Sequence, residues 1–299
     1  MVYHHVPVML REAIDYLQPK DGEVIVDCTL GGGGYALEIA KRAGDRGKII
    51  AIDADQMAIQ NSEIRIQKLG IKNIILEHDN FQNLQEIIKR NGLDKINGIV
   101  FDLGLSSAQL EDRSRGFSFN LDAPLKMEFE SSKVYKVESS KTYQIINKWE
   151  INKLEEIIRN YGEERYAGRI AAAIVKNRPV NSTQKLAQII AKAVPPHYAR
   201  SRINPATRTF QALRIATNNE LENLESAVRQ SAKSLVAGGR LVVVSYHSLE
   251  DRIVKRFMRE QKNLGLMEIL TKKVVLATKE EVASNPRARS AKLRAARKI

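Results

Sequence analysis

A run of β-branched residues that breaks into four consecutive glycines constrains this chain more than any other feature: Val24, Ile25, Val26, Asp27, Cys28, Thr29, Leu30, then Gly31, Gly32, Gly33, Gly34 and Tyr35. Residues 36–40 follow with helix-forming character, so the stretch reads as strand, tight turn and helix. Glycine is needed where a ligand must touch the backbone, because a side chain would hold it off. The free N–H groups at the helix start then face that ligand. The stretch is read as a nucleotide-cofactor loop.

The same alternation recurs. Residues 47–53 form a second apolar run ending in Asp53, which stands 20 residues after Gly33. That is the spacing at which an acid accepts ribose hydroxyls in dinucleotide folds. Residues 57–69 have helical periodicity, 73–76 a third strand leading to Asp79 and Phe81, 84–91 another helix, and 98–102 a fourth strand ending in Asp102. Four such units predict an α/β chain with a parallel, doubly wound sheet, whose ligands bind beyond the carboxyl ends of the strands. Asp27, Asp53, Asp79 and Asp102 fall at or just after those ends, and their convergence marks a site. Phe81 fits either an adenine contact or the core.

The next strand of this kind, residues 240–245, follows Gly238 and Gly239 and is separated from Asp102 by 137 intervening residues. A crossover needs only about a dozen, so a domain is inserted. Apolar positions repeat at helical spacing over 151–161, 170–175 and 182–193, and a long helix over 220–235 leads back to the sheet. Residues 1–110 with 216–299 are expected to form the cofactor domain, and 111–215 an inserted, mainly helical one.

Charge separates along the same lines. The net charge is +13, yet residues 1–110 carry 12 basic and 15 acidic side chains, while residues 165–219 carry ten basic and no acidic ones. A second basic block, residues 250–299, holds 14 against six. Like-signed blocks suit a polyphosphate partner better than a solvated face, so the insertion is expected to hold RNA or DNA through residues such as Arg165, Arg169, Arg178 and Arg208. Residues 285–299, with six basic side chains and no acid, either fold on nucleic acid or stay disordered. No run approaches the roughly 20 apolar residues of a membrane span and no secretory signal opens the chain, so a cytoplasmic protein with no membrane partner is expected. Its one cysteine, Cys28, excludes an internal disulfide and offers no metal cluster.

Gly31, Gly33 and Ala36 also fit a dinucleotide fingerprint, which keeps a nicotinamide enzyme as a rival. The Asp-x-Thr-x-Gly order after the first strand and the Gly-Gly turn before residues 240–245 favour S-adenosyl-L-methionine. Longer strings carry a sharper resemblance: His5-Val-Pro-Val-Met-Leu, Asp27-Cys-Thr-Leu-Gly-Gly-Gly-Gly, Asp102-Leu-Gly-Leu-Ser-Ser-Ala-Gln-Leu, Arg115-Gly-Phe-Ser-Phe, Arg208-Thr-Phe-Gln-Ala-Leu-Arg-Ile, Ser245-Tyr-His-Ser-Leu-Glu-Asp-Arg and Asn285-Pro-Arg-Ala-Arg-Ser-Ala-Lys-Leu-Arg. In this order they resemble the RsmH (MraW) family, which methylates N4 of a cytidine in the decoding region of bacterial 16S ribosomal RNA. The resemblance implies a Rossmann-like class I methyltransferase with an inserted, mainly helical RNA-recognition domain. It also implies S-adenosyl-L-methionine as donor without a metal, and 16S ribosomal RNA or the small ribosomal subunit as partner, with a homodimer left open. Donor contacts would be Gly33, Gly34 and Tyr35 at the loop, Asp53 on the ribose, Phe81 beside the adenine, and Asp102 and Gln109 near the methionyl end.

The chain departs from the family pattern at Tyr35, usually His, at Ala108, usually Pro, and at Pro124-Leu-Lys-Met-Glu-Phe-Glu, usually Pro-Leu-Asp-Met-Arg-Met-Asp. Charge is exchanged at Lys126 and Glu128, leaving a compensating pair open.

Methyl transfer to an amine is an in-line displacement in which positioning supplies much of the rate. The lone pair of cytosine N4 is delocalised into its ring, so a group that holds the amine and receives its proton is needed. Asp102 is the first candidate, with His247 or Ser106 to share the work. His247 equally fits a strand-end histidine bonded to backbone. The chain lacks the Pro-Cys-x-x-Cys of zinc deaminases and the (Asp/Asn/Ser)-Pro-Pro-(Tyr/Phe) string usual in DNA amine methylation. Two other readings remain: a non-catalytic, basic RNA-binding ribosome assembly factor, and an amine methyltransferase acting on another nucleic acid.

Overall fold

A computed structural model describes residues 7–129, 136–200 and 203–299. His5, Glu130 and Arg202 fall outside the described residues. The chain divides into two compact units, one made of the chain up to Gly104 with Leu221–Ile299, the other of Leu105–Glu220.

The first unit opens with α1 (Leu10–Leu17), β1 (Val24–Asp27), α2 (Gly34–Ala43), β2 (Lys48–Asp53), α3 (Gln56–Lys68), β3 (Ile74–His78), α4 (Leu84–Arg90) and β4 (Ile96–Asp102). The second unit holds α5 (Ser107–Glu111), α6 (Lys141–Lys148), α7 (Ile151–Gly162), α8 (Ala167–Lys176), α9 (Thr183–Ala193), α10 (Pro196–Ala199) and α11 (Ala206–Asn218). The chain then returns through α12 (Glu220–Ser234), β5 (Leu235–Ser245), α13 (Ser248–Asn263), β6 (Met267–Ile269), β7 (Val275–Leu276), α14 (Lys279–Ser284) and β8 (Lys292–Lys298).

The sheet runs β3-β2-β1-β4-β5-β8-β6, with β7 also paired to β8. Strands β1 to β5 are parallel and β8 is antiparallel to each of its neighbours. Strand order reverses at β1, where Ile25 pairs with Ile49 of β2 on one side and Gly98 of β4 on the other. A crevice opens at such a reversal, beyond the carboxyl ends of the strands.

Successive side chains of a strand point to opposite faces, and here both faces are covered. Val26, Ile50, Phe101 and Val243 face α4, α12 and α13 through Ile87, Val228 and Phe257. Ile25, Ile49, Val100 and Val242 face α1 and α2 through Ile14, Leu17 and Ile39. Double burial is why these strands read as unbroken apolar runs.

The basic tail is part of the fold rather than disordered. Residues 292–298 form β8 inside the sheet, with Leu293 and Ala295 in one core and Ala296 in the other. Two of its cations are neutralised: Arg294 Nε lies 2.6 Å from Asp251 Oδ1, and Arg297 lies 2.6 Å from Glu268.

The helical unit has its own core of Ile145, Leu154, Ile158, Ile170, Ile174, Leu186, Ile190, Phe210 and Leu213. Leu105 and Leu110 pack on that core, and α11 continues to Asn218, so the unit is wider at both ends than residues 111–215. No described helix is long and apolar enough to cross a membrane.

Candidate active site

The site is built from loops at the carboxyl ends of neighbouring parallel strands. Asp27, ending β1, is fully buried and its Oδ1 accepts the Thr29 N–H at 3.1 Å. Burial pushes its carboxyl up to about 7; the Thr29 N–H opposes this, while the charge of Asp53 adds to it. Asp53, ending β2, accepts the Gly31 N–H at Oδ2 and the Asp55 N–H at Oδ1, both at 2.8 Å. It therefore ties the glycine loop to the next strand. Thr29 Oγ1 accepts the Asp102 N–H at 2.7 Å and joins the same loop to β4.

Gly33, with φ 75°, caps α2 in a left-handed conformation that favours glycine. A Cβ on Gly34 would collide with the Pro7 ring, because residues 7–9 lie across the loop. The Tyr35 hydroxyl donates to the Val8 carbonyl at 2.5 Å, and the Met9 N–H donates to Glu281 at 2.6 Å. Where the family pattern has His, the buried tyrosine thus pins the N-terminal strap; its side chain is spent there and only its backbone faces the loop.

Asp79, after β3, belongs to a different cluster. Burial acts against its charge, but bonds from Asn83 and from Arg90 at 2.7 Å hold its carboxyl below the usual range. Phe81 follows it, half-buried, with its ring edge-on to Phe101 at 5.6 Å and 83°.

Asp102, ending β4, accepts the Tyr246 hydroxyl at Oδ1 across 2.6 Å. Burial pushes its carboxyl up to about 7 against that bond, and the charges of Asp27, Glu250 and Glu281 push the same way. Tyr246 is held in turn. Its N–H donates to the buried Glu250 at 2.8 Å, and its ring lies over Gly104, where a Cβ would stand 3.1 Å from Tyr246 Cδ2. Tyr246 and Glu250 were not singled out from the sequence, although both stand in the quoted Ser245-to-Arg252 string, directly after the strand beside β4.

Several other candidates prove to be helix caps. His247 is the N-cap of α13: its Nδ1 faces the Glu250 N–H at 3.4 Å while its own N–H donates to Glu250. Its Nε2 lies 3.1 Å from Glu250 Oε1, so the ring is turned to the helix start. In the helical unit Ser106 and Gln109 form a capping box on α5, Ser106 Oγ accepting the Gln109 N–H and Gln109 Oε1 accepting the Ser106 N–H.

The four arginines divide. Arg165, Arg169 and Arg208 are exposed, and Arg208 donates through one nitrogen to the Glu163 carbonyl at 2.8 Å. Arg178 instead donates through Nε and Nη2 to the carbonyls of Ile146 and Trp149, closing the C-terminal end of α6. Its planar fork is used on protein carbonyls. No Lys126–Glu128 pair forms among the described residues. Glu128 caps α6 through the Lys141 N–H at 2.8 Å, which accounts for an acid at that position.

Three carboxylates thus line the ends of three adjacent strands, and the charges acting on Asp102 are all acidic. Such an edge favours a cationic ligand. Residues 2–299 match the MraW methylase family. The chain belongs to that family. It is 42% identical to "Ribosomal RNA small subunit methyltransferase H" of Clostridium botulinum (strain Kyoto / Type A2), over the whole of both chains. The protein of the same name from Thermosipho melanesiensis is 43% identical, with 99% of this chain and 98% of the relative covered. That from Koribacter versatilis is 44% identical over 98% and 94%. MraW membership and the strand order together make the first unit a Rossmann-like class I methyltransferase fold.

Proposed function

We propose that this chain transfers a methyl group from S-adenosyl-L-methionine to the exocyclic N4 amine of a cytidine in the decoding region of 16S ribosomal RNA, acting in the cytoplasm on that RNA or on the small subunit. The observation that carries this reading is the carboxylate edge formed by Asp27, Asp53 and Asp102 beneath a glycine loop. When bound, S-adenosylmethionine supplies a methyl group on a positively charged sulfur, and its two cationic centres match this acid-rich edge. Full-length similarity to relatives named as small-subunit ribosomal RNA methyltransferases supports the substrate class.

Within this reading each residue has a task. The backbone of Gly33, Gly34 and Tyr35 faces the donor, and Asp53, fixed at the end of β2 by the Gly31 and Asp55 N–H groups, takes ribose hydroxyls. Phe81 flanks the adenine. Asp102 holds the cytosine amine with the oxygen beyond the Tyr246 bond and would accept the amine proton as the N–C bond forms and the sulfur–methyl bond breaks, the sulfur leaving as a neutral thioether. A carboxyl near 7 is substantially ionised at neutral pH yet basic enough to take that proton. His247 uses Nδ1 and Ser106 uses an Oγ lone pair on helix caps, so Asp102, which ends β4 with one oxygen beyond the Tyr246 bond, is the first acceptor in this reading, and Gln109 contributes to α5. The helical unit holds the RNA through exposed cations that include Arg165, Arg169 and Arg208.

Calorimetric titration with S-adenosylmethionine tests the donor assignment. Saturable binding by the wild type, lost in a folded Asp53→Ala variant, is expected. A wild type that binds RNA but no donor would return the chain to the class of non-catalytic assembly factors.

A further inference from the structure

The helical unit carries a guanidinium resting against two adjoining aromatic rings. Arg165 Cζ lies 4.8 Å from the ring centre of Tyr166 and 4.9 Å from that of Tyr198. The two rings meet edge to face, 5.0 Å apart at 70°. Arg169 stands over Tyr166 at 5.9 Å.

The cluster is fixed from within. Glu164 is 1% exposed; its Oε2 accepts the Tyr198 hydroxyl at 2.6 Å and its Oε1 accepts the Tyr166 N–H at 2.8 Å. The carboxylate closest in sequence to Arg165 is thereby spent on holding the tyrosines. Neither Arg165 nor Arg169 pairs with an acid among the described residues, and both are exposed.

Arginines that serve the fold of this unit look different. Arg178 spends its donors on two carbonyls, and Arg214 makes a two-pronged pair with Glu220 at 2.8 and 2.7 Å. Arg165 has been given an aromatic bed instead of a counter-charge. A guanidinium so placed presents its plane beside the rings with no carboxylate paired to it.

We propose that Arg165, Tyr166 and Tyr198 form a stacking platform for an unpaired base of single-stranded RNA, with Arg169 taking an adjacent phosphate. Unstacked bases of single strands lie flat on tyrosine rings and guanidinium planes, whereas a paired helix keeps its base faces hidden. The platform therefore selects a looped or open RNA segment over a duplex. This rests on RNA being the substrate.

The test uses the full chain, a fluorescein-labelled 12-nucleotide single-stranded RNA, the same strand with abasic sites, and the matching duplex, read by anisotropy. The wild type is expected to bind the intact strand about tenfold more tightly than the abasic one. Arg165→Lys keeps the charge but loses the plane, and is expected to bind both strands equally and weakly. Tyr198→Phe keeps the ring and releases Glu164, and is expected to fall between them. Thermal midpoints and S-adenosylmethionine binding on the same samples identify any variant that has misfolded. Arg165→Lys with wild-type affinity and wild-type base dependence would overturn the platform while leaving RNA binding intact. A wild type that binds none of the three RNAs would overturn both the platform and the proposed substrate.

Discussion

The hydroxyl of Tyr246 and Oδ1 of Asp102 lie 2.6 Å apart, a bond that joins the turn after β5 to the end of β4. It stabilises a carboxylate whose burial works against its charge, and it fixes which oxygen remains for a substrate. Because the Tyr246 ring rests on Gly104, the geometry is set by backbone as well as by the bond.

Tyr246→Phe keeps that ring in place and removes the bond. Asp102 must be ionised to accept a proton, so methylation is expected to rise with pH through about 7 in the wild type. Loss of a bond to the charged form raises the carboxyl further, and the rising limb of the kcat/KM profile should move up by about one pH unit. An unmoved limb would separate Tyr246 from the proton acceptor.

Asp102→Asn should lower kcat by about 100-fold or more, the contribution typical of a positioned acid or base. His247→Ala, by contrast, removes a helix cap. It should cost about 1 kcal/mol of stability and change kcat by only a few-fold. A kcat loss in His247→Ala as large as that in Asp102→Asn would restore the histidine to the chemistry.

The buried Asp27 makes the free protein sensitive to pH. A carboxyl raised on folding binds its proton more tightly in the folded state, so its favourable contribution is complete below about 4 and is lost as pH rises towards 7. Asp27→Asn can retain the bond from the Thr29 N–H without the charge. Thermal midpoints measured from pH 4 to 8 should decline less in the variant than in the wild type, and equal declines would contradict the assignment.

Arg178→Ala should destabilise the helical unit by about 2 kcal/mol, because two carbonyls at the end of α6 lose a charged donor. RNA affinity of the folded variant, measured well below its melting temperature, should stay within about twofold. A selective loss of RNA affinity without loss of stability would make it a docking residue after all.

Most of the parallel sheet was legible because strands covered on both faces read as unbroken runs, as in residues 24–27 and 98–102. β8 was not, since Lys292, Arg294, Arg297 and Lys298 interrupt it and its alanines carry little hydrophobic signal; only the partners Asp251 and Glu268 reveal those arginines as part of the fold. At the site, the strand-end acids were visible, yet what separates Asp79 from Asp102 is partners the strand pattern does not show: Asn83 and Arg90 on one, burial and Tyr246 on the other. Ser106, Gln109 and His247 also cap helices, a use that sequence does not separate from proton handling because the same residue types do both. Arg165 and Arg178 are alike in sequence, and what separates them is whether helix-end carbonyls or tyrosine rings surround the guanidinium.

The central claim is tested most directly by mass spectrometry of nucleosides from 16S ribosomal RNA, as free RNA and in small subunits, incubated with the protein and isotopically labelled S-adenosylmethionine. A labelled N4-methylcytidine that maps to the decoding region and disappears with Asp102→Asn is the expected result. Label on a different base or on cytosine C5, or none in either substrate despite donor binding, would contradict it.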